Sequence, residues 1–278
     1  MNNIIVKESA KEIRTLARMA LRGLWKEAFL GMLIWSFFVQ IIPRLIQPII
    51  PFTNYVYSVP EIDYNITISP AVYIYQMLIA GPFSVGLCKY ILLIVRRKEI
   101  NYSKIFGGFE HFIKAIALQL LIGILVTLWS IPAILLASLA ITLIPLLGLL
   151  SIAGLAAFVF WVYLRYLMAP YYMADDWNLS PWDCIKLSKN NMNGNKGSLF
   201  VLLISFIGWS ILATMTQSVL LGFFPNTSSI LYVIMTIVSL IPGLIVSLYI
   251  NVAEGFFFEL MTGHLMKEEQ SRLWEPVV

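Results

Sequence analysis

The chain has 278 residues, of which 59% are hydrophobic and only 12% charged, with a formal net charge of +4 and a mean hydropathy of +0.82. Ordinary globular domains carry about 25% charged residues, and roughly half of any folded surface stays wet. A water-soluble domain is therefore excluded, and two cysteines and two histidines are too few and too scattered for a disulfide framework or a zinc site.

Residues 1–27 form a basic lead-in. Lys7, Lys11, Arg14, Arg18 and Arg22 recur at helical spacing, while Ile13, Leu16, Ala17, Ala20, Leu21 and Leu24 line another face. That pattern predicts an interfacial helix, its apolar face in the headgroup boundary and its cations toward anionic lipid. The first apolar run begins near Phe29 with no small-residue cleavage site after it, which argues for an uncleaved first span.

Six apolar runs qualify as membrane spans, at about 28–50, 71–95, 113–138, 146–168, 199–222 and 229–252. Pro43, Pro82, Pro132 and Pro242 fall inside them, where neighbouring helices must satisfy the freed carbonyls. Between the second and third runs lies a shorter lead-in, Ser103-Lys-Ile-Phe-Gly-Gly-Phe-Glu-His-Phe112, with aromatics suited to the interface. Ala133/Ala137 and Ala153/Ala157 have the spacing that lets helices approach closely, which predicts a tight hairpin of the third and fourth spans.

A third lead-in follows the fourth span. Ser180 is an N-cap, Pro181 takes the first helical position and Asp183 the capping-box place. Trp182, Ile185, Ser188 and Met192 share a face, and Asn193-Gly194 ends the helix. The expected fold is thus all-α: six transmembrane helices in three hairpins, each preceded by a cytoplasmic interfacial helix, with residues 253–278 as a tail. The whole chain, 1–278, reads as one integral membrane domain.

Orientation follows from the basic residues. Of nineteen Lys and Arg, all but Arg44 flank one side of these spans, and the stretches 51–70, 139–145 and 223–228 contain none. The positive-inside rule puts both termini in the cytoplasm. The basic face is expected to meet anionic lipid, and the charges hug the span ends rather than forming a nucleic-acid-binding domain.

Three groups of residues invite a functional reading. Lys89, Arg165 and Glu254 occupy similar places in the three returning spans, and would form a cytoplasmic-side binding cluster if those spans share an axis. The alternative is independent snorkelling. Gly194, Lys196 and Ser198 at the start of the fifth span could cradle a lipid phosphate at a helix N-terminus, or be a turn with a snorkelling lysine. Asp175-Asp176 reads as a solvated pair or a partner for Lys186, and His111 and His264 as isolated interfacial residues. No nucleophile or metalloprotease signature occurs, so no catalytic residue, metal ligand or cofactor is expected.

The segment Tyr171-Tyr-Met-Ala-Asp-Asp176, then Ser188, Met192-Asn-Gly-Asn-Lys196, Leu199-Phe and Ser205-Phe-Ile-Gly-Trp209, resembles the signature of a bacterial family of multi-spanning membrane proteins of unknown function. Arg18-Met-Ala-Leu-Arg-Gly-Leu-Trp25 and Ile105-Phe-Gly-Gly-Phe109 extend the resemblance over most of the chain. That family is similar to the membrane domain attached to some glycerophosphodiester phosphodiesterases. The resemblance implies a bacterial plasma membrane; with no soluble phosphodiesterase domain here, it does not carry that activity over. Asn193 stands where the family usually has lysine, which weakens a phosphate cradle.

Two function classes follow. One is a non-enzymatic module that binds lipids or a membrane protein partner, for instance an exporter accessory or self-protection protein. The other is a small permease for an amphiphile or peptide, which needs a polar path at mid-membrane. Gln119, Thr127, Thr214, Thr216 and Gln217 are its candidates.

Overall fold

The computed structural model describes residues 4–43, 45, 55–59, 64–143, 148–223 and 230–265. Arg44, the stretch 224–229 and the tail carrying Lys267 and Arg272 lie outside the described residues.

Helix α1 (Ala10–Leu21) opens with a full capping box: Ser9 accepts from Glu12 N, and the Glu12 carboxylate accepts from Ser9 N. Gly23, at φ 82°, then turns the chain by 98° into α2 (Trp25–Ser36) and a π-helical turn, Phe37–Ile41. A two-stranded antiparallel hairpin follows, β1 (Tyr55–Val59) with β2 (Tyr64–Ile68), in the register Tyr55↔Ile68. This hairpin lies between the first and second expected spans.

Helix α3 (Pro70–Val95) is the hub. It packs against α2, α4, α6, α11 and a 3-10 helix, Tyr102–Phe109. Helices α4 (Phe112–Leu143) and α5 (Gly148–Tyr163) pack on one another, followed by α6 (Ala169–Asp175) and α7 (Pro181–Asn191). The chain closes with α8 (Lys196–Ile204), α9 (Ile207–Gly222), α10 (Ile230–Ser239) and α11 (Ile241–Thr262).

By length and composition, three of the described helices can cross a membrane: Pro70–Val95, Phe112–Ala140 and Ile234–Thr262. Counting each bent pair as one span raises this to five. The fourth expected run stops at Tyr163, because the chain turns at 164–168 toward Pro170 at the start of α6. The fifth bends by 40° between α8 and α9, where Ser205 Oγ donates back to Leu202 O at 2.6 Å, a local bond of the kind that bends helices. The sixth breaks at Leu240 ahead of Pro242 and then runs on to Thr262, capped by Gly263 at φ 75°.

The three lead-ins correct the sequence reading in one respect. Ile13, Ala17, Ala20 and Leu21 of α1 are buried in protein, against α3, α8 and α11, rather than in a headgroup boundary. In the second lead-in Ile105, Gly107 and Gly108 are buried, and Phe106 and Phe109 pack edge-on against Phe83, on which Phe38 stacks. In the third, Cys184, Ile185, Ser188 and Met192 are buried while Trp182 is exposed. An apolar stripe demands an apolar cover, and here protein supplies it.

Glycine makes the second of these contacts feasible. A Cβ on Gly86 would collide with the Ile105 carbonyl, and one on Gly108 with the Pro82 carbonyl, so the 3-10 helix meets α3 backbone to backbone. The expected small-residue seam holds on one side only. Ala137 is buried and Ala133 half-buried, but Ala153 and Ala157 face outward.

Candidate functional site

The ends of α3, α6 and α11 meet at an ion-pair network. Arg96, just past α3, places Nη1 2.6 Å from Asp175 Oδ1 and Nη2 2.6 Å from Glu259 Oε1. Its Nε also donates to Glu259 Oε1 at 3.0 Å. The Glu259 side chain is 2% exposed, and His264 Nδ1 lies 3.6 Å from its other oxygen. Burial disfavours the Arg96 charge, but the bonds to Glu259 and Asp175 outweigh it and raise the guanidinium above its ordinary pKa. Asp175 is therefore the partner of Arg96, and Lys186 pairs with Asp183 instead, at 3.8 Å. His264 joins the network rather than standing alone, and His111 stacks on Trp177 at 4.7 Å.

Beside this network Asn195, fully buried, pins the N-terminal segment. Its Oδ1 accepts from Val6 N at 2.9 Å, and its Nδ2 donates to Ile4 O and Asn191 O. Gly194, at φ 88°, is spent on the turn that sets this up, with Ile5 against it. Lys196 lies over the Trp161 ring at 5.7 Å and Ser198 is half-buried on the first turn of α8.

Lys89, Arg165 and Glu254 do not form one charge cluster. Among the described residues no ion pair joins them. The Arg165 guanidinium lies over the Trp129 ring at 5.4 Å, while its carbonyl accepts from Ser188 Oγ at 2.8 Å. Lys89 sits in the field of Asp175, Arg96, Lys104 and Lys98. Stacking on an aromatic face gives Arg165 a partner of its own.

Glu254 goes elsewhere. It lines a cavity of about 210 Å³ inside the bundle, walled also by Trp35, Gln40, Tyr163, Tyr171 and Asn251. Ser84, Cys88 and Ser247 complete its polar lining. The walls come from α2, the π-helical turn, α3, α5, α6 and α11, so elements from the first, second and third thirds of the chain converge on it. Ser247, Asn251 and Glu254 share one face of α11 at spacings of four and three, a polar stripe that sequence inspection could have found. Asn251 Nδ2 donates to Ser247 O at 2.7 Å and Tyr171 OH to Asn251 O at 3.1 Å. A π-helical turn, which supplies Gln40, is a deviation often met at functional sites.

The permease candidates lie outside any such path. Gln119, Thr127, Thr214 and Thr216 are exposed on the outer faces of their helices and Gln217 is half-buried. The hydroxyls of Thr214 and Thr216 fold back onto Ser210 O and Leu212 O. Among the described residues no group of three or more His, Cys, Asp or Glu could hold a metal ion.

A hub helix under protein-packed lead-ins, with long apolar helices around it, defines a membrane-spanning helical protein. Residues 1–265 match the model of a family described as protein of unknown function DUF975, and the chain belongs to that family. No curated protein and no solved structure matches it.

Proposed function

We propose that the chain is a non-enzymatic binding module of the bacterial plasma membrane that holds an amphiphile, lipid or lipid-like, in the cavity around Glu254. In this reading six spans form three hairpins, both termini are cytoplasmic, and the basic bundle end faces anionic lipid. Service beside an exporter, as an accessory or self-protection protein, is the role such a module would fit. The observation that carries the reading is the cavity itself: an ionisable residue among polar side chains inside a bundle of apolar helices marks a ligand site or pathway by default, and Glu254 stands there with Gln40 and Asn251. Support for a permease is weaker, since the residues expected to line a path lie on outer faces.

Native mass spectrometry of the gently solubilised protein tests this. One bound amphiphile of defined mass is expected, and Ser247→Trp, which fills the cavity, should remove it while leaving the fold intact. A wild-type chain that carries no such adduct, or an adduct indifferent to Ser247→Trp, rules the cavity out as the binding site.

A further inference from the structure

The chemistry of the walls narrows the ligand. Glu254 presents its carboxylate to the cavity, and among the described residues no ion pair reaches it. The two cations expected beside it do not pair with it: the Arg165 guanidinium lies over Trp129, and among the described residues no ion pair joins Lys89 to Glu254. A carboxyl group held inside a membrane bundle is costly to ionise unless a cation comes to it. Around it stand three aromatic side chains, Trp35, Tyr163 and Tyr171. One carboxylate with several aromatic side chains beside it is a composition that suits an ammonium group.

A second observation points the same way. Among the described residues the buried Trp35 indole N–H has no hydrogen-bond partner, and leaving a buried donor unmet is costly. A ligand that carries an oxygen close to its ammonium group would meet both needs. Size is adequate: about 150 Å³ accommodates a benzene ring, and this cavity measures about 210 Å³.

We propose that the cavity binds the organic ammonium group of a cationic or zwitterionic amphiphile, with Glu254 as counter-charge and Trp35, Tyr163 and Tyr171 as its aromatic walls. This rests on the reading of the cavity as an amphiphile site. An ammonium headgroup could come from a membrane lipid or from a free amine amphiphile, and the chemistry at Glu254 is the same.

The test uses the full chain in lipid nanodiscs, with bound species read by native mass spectrometry. The probes are dodecyltrimethylammonium, uncharged dodecanol and dodecyl sulfate. The ammonium probe should bind at least about tenfold more tightly than the other two. Glu254→Gln should abolish that preference, and Glu254→Asp, which keeps the charge, should retain most of it. Discs mixing phosphatidylethanolamine and phosphatidylglycerol identify the source. Selective retention of the ethanolamine lipid points to a headgroup, and capture of the free probe without it points to a soluble amine. Equal binding of all three probes, or a preference unchanged in Glu254→Gln, overturns the ammonium assignment but leaves an amphiphile site standing. Binding of no probe and no lipid overturns both.

Discussion

Removing one member of the network at the bundle end should reveal how much it holds. In Glu259→Leu, Arg96 loses its most buried partner but keeps Asp175, and both remaining side chains are about a quarter exposed. Breaking a buried pair from one side costs about 3–5 kcal/mol; the residual hydration and the surviving carboxylate argue for the lower end, about 3 kcal/mol. Arg96→Leu leaves two carboxylates without their cation, one of them almost fully buried, and should cost about 4 kcal/mol. The double variant removes both buried charges together and should fall short of the sum by about 2–3 kcal/mol, the coupling expected within one network. At about 2–4 °C per kcal/mol for a chain of this size class, the single variants lose on the order of 6–16 °C in Tm. Thermal unfolding in a fixed detergent, followed by monodispersity, reads this directly. Strictly additive losses would mean that Arg96 and Glu259 do not depend on each other, and the network would be a coincidence of proximity.

Other outcomes follow from the packing. Gly108→Ala should destabilise by about 1–3 kcal/mol through overpacking against Pro82, whereas Gly107→Ala, whose nearest neighbour is Trp177 at 3.8 Å, should be mild; equal Tm losses would refute the backbone contact. Asn195→Leu should speed hydrogen exchange across residues 4–9, and unchanged protection would mean that something else holds the segment. Burial, helped by Asp183, raises the Cys184 thiol from 9.0 to about 12. The folded state thus favours the protonated thiol, a contribution present below pH 9 and lost toward pH 12, so thiol labelling should stay slow from pH 7 to 9 and a rate tracking an ordinary thiol would contradict it. Single cysteines at Asp63 and Ser228 should react with an impermeant reagent in intact cells and one at Lys189 should not; the reverse pattern would invert the proposed topology.

Hydropathy carried the apolar helices from the residues alone, because a long uncharged run has few alternatives. It did not carry their breaks. Ser205 and Pro242 act through local backbone bonds, which a window average smooths over. The lead-ins were legible as amphipathic stripes, yet a stripe states only that something apolar covers it, and lipid and protein look alike by that measure. The capping of α7 by Ser180 and Asp183 was readable because it is local. Arg96 with Glu259 was not, since the partners are separated by 163 positions. Glu254 was picked out by its place equivalent to Lys89 and Arg165, but the structure does not bring the three together: equivalent positions along three helices do not fix which way each side chain turns.

The placement of α1 has a consequence for how the protein is made. Val6 waits for Asn195, Arg14 for Ser205, and Tyr249 OH closes on Arg14 O across a separation of 235 positions. Helix α1 therefore cannot reach its seat until α8 and α11 have been synthesised. Until then its apolar stripe needs an interim cover, and a membrane surface has the right character to serve as one.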